Sequence, residues 1–135
     1  MNSKKLGYAL LLVAGTAAAE NVEGVSEMIC AAGQAQICFE TGECFAATPW
    51  ELDMPDFVII DTKKKRISTT EASGLNRSTE FSKIERDNGR IMLQGIDGGR
   101  AFSFTIHEST GRMTAAIARD GLTVSVFGAC TDNRR

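Results

Sequence analysis

Four cysteines, one histidine and two close carboxylate pairs are the residues of this chain whose types and spacing could do chemistry. Cys30, Cys38, Cys44 and Cys130 are spaced C-x7-C, C-x5-C and then across a gap of 85 residues. None has the C-x-x-C spacing of a thiol-exchange or zinc motif, so the spacing argues against a metal site and redox catalysis. An even count points instead to two disulfides formed in an oxidising compartment. Glu40-Thr41-Gly42-Glu43 reads as a tight turn that brings Cys38 to Cys44 and leaves Cys30 for Cys130. That second bridge would close a loop of about 100 residues, worth ~4–5 kcal/mol in the chain-entropy description. The pairing Cys30–Cys38 with Cys44–Cys130 also fits the spacing.

A serine or cysteine nucleophile would need His107 as its base, because the chain has one histidine. His107 ends an alternating segment on the face opposite Phe102, Phe104 and Ile106, which reads as a solvent-facing rim position. The pairs Glu40/Glu43 and Glu51/Asp53 could do acid–base work only if the fold turned them toward one another, and both read as exposed turns. The chain contains no G-x-S-x-G, H-E-x-x-H, P-loop or G-x-G-x-x-G sequence. The expectation is a non-enzymatic protein without a cofactor.

The elements that must position these residues are strands. Asp87-Asn88-Gly89, Asp97-Gly98-Gly99, Ser109-Thr110-Gly111 and Asp120-Gly121 recur about every 10 to 12 residues, and Gly and Asn supply the positive φ of hairpin turns. Between them the apolar residues alternate, as in Phe102, Phe104, Ile106 and again in Met113, Ala115, Ile117. Strands are predicted at 56–61, 66–70, 78–86, 90–96, 101–107, 112–119 and 122–128, joined by a hairpin around 36–47. The one helical signal is a turn or two over 22–29. The fold class is therefore all-β: an antiparallel meander of 7–8 strands, stapled by disulfides, forming an up-and-down barrel or a two-layer sandwich. An interior this small is expected to fill with side chains.

Export frames the chain. Lys4 and Lys5 precede an apolar stretch at 6–14, and Ala17-Ala-Ala19 completes an A-x-A cleavage signal, so residues 1–19 read as a secretory signal peptide cut before Glu20. The 14 residues at 6–19 fall short of the ~20 that span a bilayer. A protein that is periplasmic or extracellular follows, with no transmembrane segment after cleavage. Residues 20–55 form an acidic, cysteine-bearing segment and 56–135 the meander, together one domain.

Charge is divided unevenly. From Glu20 to Asp61 there are nine acidic residues and no basic one; from Thr62 to Arg135 there are thirteen basic and eight acidic. Because meander turns alternate between ends, one end should collect Lys63, Lys64, Lys65, Arg66, Arg86, Arg90 and Arg112, with Arg134 and Arg135. The other end carries the mixed set Glu71, Arg77, Asp97, Arg100, Arg119 and Asp120. A basic pole would attract an anionic envelope glycan, a lipid headgroup or an acidic protein surface. The acidic segment could instead pack beside it and neutralise it. Nucleic acid fits poorly, since no aromatic platform is interleaved with these cations.

Ala72-Ser73-Gly74, with the export signal, size, cysteines and meander, resembles part of the Ser-Ala-Ser-Gly-type loop of small secreted inhibitor barrels such as the periplasmic lysozyme inhibitors. The Tyr and Trp-x-Lys-Gly elements that follow that loop are missing, so the chain is not assigned to that family. Three functional classes follow. The first is an exported β-domain that binds or inhibits an envelope or host macromolecule through a charged surface, either the basic pole or the acidic hairpin with Trp50 and Phe45. The others are a small carboxylate-dependent hydrolase or lyase, and a structural or assembly protein.

Overall fold

Apolar alternation becomes ten strands in a computed structural model of the chain, which describes residues 20–134. The predicted signal peptide at 1–19 and Arg135 lie outside the described residues. The strands are β1 (Glu27–Phe39), β2 (Cys44–Ala47), β3 (Phe57–Asp61), β4 (Arg66–Thr69), β5 (Ser78–Glu80), β6 (Lys83–Asp87), β7 (Arg90–Asp97), β8 (Arg100–His107), β9 (Arg112–Arg119) and β10 (Leu122–Asp132). They form one antiparallel sheet in the order β5-β4-β3-β1-β10-β9-β8-β7-β6, with β2 paired to β1 beside this path. The two outermost strands, β5 and β6, are consecutive in the chain. Phe81 N–H donates to Lys65 O (3.0 Å) on the β4 side, and Ser82 N–H donates to Gln94 O (2.9 Å) on the β7 side. The segment predicted as one strand at 78–86 is thus two, bent at Phe81–Ser82 so that it leaves one sheet edge and joins the other. The sheet curls into a half-barrel, and no second layer is needed.

β1 is longer and more central than a terminal hairpin at 36–47. It pairs with β10 along almost its full length and with β3 over Glu27–Ala31. Its inward residues Met28, Cys30 and Ala32 give way to Ala35 and Ile37, because a bulge between Ala32 and Gln34 adds one residue and shifts the phase. The helical turn expected over 22–29 does not form; Glu27–Ile29 open β1 instead. Among the described residues, no helix is long and apolar enough to cross a membrane.

Cys30 faces Cys130 directly across β1 and β10, and Cys38 faces Cys44 across β1 and β2. Both pairs are disulfides, which decides the pairing that spacing left open. The Cys30–Cys130 bridge lies in the main core with Met28, Ile60, Ile91, Leu93 and Ile106, each no more than 1% exposed. Phe102 lies against Gly95 on β7, where an added Cβ would sit 2.4 Å from the ring. The aromatic ring thus covers a strand glycine that has no side chain of its own to pack.

One end of the half-barrel is closed by residues 20–26. Val22 N–H donates to Glu108 O (2.7 Å), and the Thr62 N–H and hydroxyl both donate to Ser26 O (2.8 and 2.9 Å). This holds Val22 and Val25 inside the core at 0% and 6% exposure. Burial of a valine contributes ~1.5–3 kcal/mol, so these two side chains act as a plug. Gly111 lets the plug approach: its φ is +72°, and a Cβ there would stand 2.7 Å from Glu20 O and 2.3 Å from Cys130 O.

Candidate binding site

The turns 62–65, 88–89 and 108–111 open on the plugged end, and so does the C-terminal segment. The predicted cations sit here in different circumstances. Lys63, Lys64 and Lys65 are exposed on a turn shaped by Asp61, whose Oδ1 accepts the N–H groups of Lys63 (3.1 Å) and Lys64 (2.9 Å). Arg66 faces Glu80 at 3.8 Å. Arg86 lies on the inward face of β6, donates to Val25 O and stands 4.0 Å from Glu108. Arg90 and Arg112 are exposed and make no ion pair among the described residues.

Acidic residues share this end. Glu20 accepts from the Thr131 hydroxyl and Glu27 from Asn133, both at 2.7 Å, while Glu23 and Asp87 are exposed. Asp132 is held below the ordinary carboxylate range, first by the side-chain hydrogen bond from Arg134 and then by the Arg134 N–H. The Arg134 guanidinium is raised in turn by that same carboxylate. Within the described residues, then, the predicted pole combines five unpaired cations, Lys63, Lys64, Lys65, Arg90 and Arg112, with the acids Glu20, Glu23 and Glu27 at the same end.

The opposite end is built differently. Residues 48–56 form a flap, folded by a 3-10 turn at Pro49–Leu52 in which the Glu51 carboxylate accepts the Thr48 N–H at 3.0 Å. Leu52 and Met54 pack from it onto the smaller core cluster of Ala35, Ala115, Val124 and Val126. Asp53 turns the chain in the left-handed region at φ 56°. Arg77 latches this turn to the β4–β5 connection, donating to Asp53 O (3.1 Å) and Asp53 Oδ1 (3.0 Å).

Two concavities flank the latch. Outside it, a groove of about 490 Å³ is lined by Trp50, Phe57, Leu75 and Arg77. Trp50 is 67% exposed, Phe57 50% and Leu75 43%, an unusual concentration of bare apolar surface. Inside it, the mouth of the half-barrel holds about 220 Å³ floored by Val58, Ile67, Phe102, Phe104 and Ile117, with Arg77, Asp97 and Arg100 on the lip.

The remaining candidates are engaged locally. His107 is exposed, with Nδ1 at 3.1 Å from Ser109 Oγ and 3.2 Å from Thr110 Oγ1, a polar knot within the turn. Glu40 and Glu43 flank the β1–β2 turn and are exposed, and so is Phe45 on β2. Glu51 and Asp53 hold the flap. Among the described residues, no three His, Cys, Asp or Glu side chains cluster as metal ligands. Sequence periodicity missed the flap, the Arg77–Asp53 latch and the mouth, because residues 48–56 and 70–77 are irregular and carry no alternation. The signal available was the pair Arg77 and Arg100 at the end opposite the lysines. Comparison of the chain with family models, with curated proteins and with solved structures finds no match.

Proposed function

We propose that this chain is an exported, non-enzymatic β-domain that binds or inhibits an envelope or host macromolecule. The observation that supports this reading is the groove beside the flap, where Trp50, Phe57 and Leu75 are exposed together next to Arg77. Aromatic side chains and arginine concentrate binding energy at protein surfaces, and contiguous exposed apolar area is uncommon on a chain with no partner. The two disulfides suit an oxidising compartment. Export itself rests on the sequence signal at 1–19, and N-terminal sequencing of the exported protein is expected to begin at Glu20; a chain still starting at Met1 would count against it.

A second contact surface is favoured by the five unpaired cations at the plugged end. It would take an anionic envelope glycan, a lipid headgroup or an acidic protein surface, and its attraction would weaken with salt. Affinity capture from envelope extract separates the surfaces. Replacing Trp50 with Ala is expected to weaken capture by roughly 30-fold, as loss of a hot-spot aromatic does. Loss of capture on replacing Lys63, Lys64 and Lys65 with Ser, but not on Trp50→Ala, would move the contact to the basic end. Capture unchanged by both would overturn the reading.

A further inference from the structure

The half-barrel is plugged at one end and open at the other, and its inward face is apolar until Thr69 and Thr79 join it at the open lip. Near the plug the inward residues Met28, Ile60, Ile91 and Ile106 are wholly buried. Toward the lip the same faces present Val58, Ile67, Phe104 and Ile117, which remain partly exposed around the 220 Å³ mouth. Among the described residues no element covers them as Val22 and Val25 cover the far end; Leu52 and Met54 close only the side under the flap.

The lip carries a free cation. Arg100 opens β8 in phase with Phe102 and Phe104, so its Cα–Cβ bond is on the inward face one step beyond them. It makes no ion pair among the described residues. Asp97, directly opposite it across the hairpin, accepts a hydrogen bond from the Thr79 hydroxyl instead. The charge of the other lip carboxylate, Asp53, is met by Arg77.

We propose that this mouth binds a single-chain, medium-length carboxylate, with its apolar tail against Phe104 and Ile117 and its head on Arg100. A small barrel holds one small ligand of this kind where side chains do not fill it. A mouth of about 220 Å³ has the scale of one medium-length alkyl chain. The mouth shares Asp53, Met54, Pro55 and Arg77 with the outer groove, but its floor of Val58, Ile67, Phe104 and Ile117 is its own, and binding there needs no macromolecular partner.

The test is a titration of the isotope-labelled protein followed by amide chemical shifts, using octanoate, octan-1-ol and octyltrimethylammonium. Octanoate should perturb residues of β4, β8 and β9 around Ile67, Phe104 and Ile117, and bind roughly fivefold more tightly than the ammonium, the scale of one accessible ion pair. Affinity should climb about fourfold per methylene from butanoate to octanoate and then level off. Arg100→Gln should erase the preference for the carboxylate while leaving octan-1-ol binding intact, and Asp97→Asn should tighten octanoate binding. Arg100 is exposed, so its replacement leaves the core in place and the outcome is readable. Shifts confined to Trp50 and Phe57, equal affinity for the three head groups, or tighter binding of dihexanoyl phosphatidylglycerol would each overturn the assignment. Macromolecular capture unchanged by Trp50→Ala, with octanoate binding retained, would leave this site standing and reject only the outer one.

Discussion

Replacing Val22 with Ala tests whether the N-terminal segment plugs the half-barrel, on which the contrast between its two ends depends. Val22 is 0% exposed and its N–H is tied to Glu108 O at 2.7 Å. The substitution removes two carbon groups, worth ~1.6 kcal/mol of transfer free energy at ~0.8 kcal/mol each. A residual hole of roughly 50 Å³ adds ~1 kcal/mol where the surroundings do not collapse. The expected loss is thus ~2–3 kcal/mol. For a domain of this size a loss of 1 kcal/mol lowers Tm by about 4 °C, so the melting point should fall by about 8–12 °C. The assay is circular dichroism or differential scanning calorimetry under non-reducing conditions, with Glu23→Ala as the control. Glu23 is exposed two residues before Val25 and should change stability by less than ~0.5 kcal/mol. A Val22→Ala melt within about 2 °C of the parent, or one matched by Glu23→Ala, would refute the plug.

Thiol titration of the denatured, unreduced protein should read near zero, since all four cysteines are bridged; two or more thiols would contradict the pairing. Replacing Cys30 and Cys130 together with Ser should cost ~4–5 kcal/mol from the loop they close, read as a lowered denaturation midpoint. Replacing Lys63, Lys64 and Lys65 with Ser should leave Tm nearly unchanged, because these side chains are exposed and make no ion pair among the described residues. A large fall in Tm would show that they hold the acidic segment instead. The Asp132 carboxyl should titrate below the ordinary value by NMR, and Arg134→Ala should raise it part of the way, because the backbone N–H of residue 134 still donates to it. Its folded value is depressed, so the contribution of this pair is present above the unfolded carboxylate pKa and lost as pH falls through the folded one.

The strands β7 to β10 were legible because two periods coincide there. Apolar residues alternate along Ile91–Leu93, Phe102–Ile106, Met113–Ile117 and Val124–Val126, and a glycine turn separates each run from the next. The even cysteine count likewise implied two bridges, and the turn at Thr41–Gly42 favoured the pairing found. β1 was hidden by its own geometry. The bulge at Ala32/Gln34 shifts Ala35 and Ile37 out of phase with Met28 and Cys30, so no single period runs through thirteen residues.

Local pattern determined that this chain makes antiparallel strands, where most of them turn, and that its charges divide by sequence into an acidic and a basic part. It could not decide how the sheet curls. That depends on Phe81–Ser82 leaving one edge for the other, a choice made by backbone donors whose partners, Lys65 and Gln94, are distant in sequence. Nor could it place residues 20–26, whose valines have no periodic neighbours and are buried only because the far ends of β3, β8 and β10 leave room for them. The open mouth is the consequence. Alternation tells which side chains point inward, but only the closure of one end by residues 20–26, with the flap covering one side of the other, leaves Phe104 and Ile117 half-buried at a mouth that Arg100 also lines.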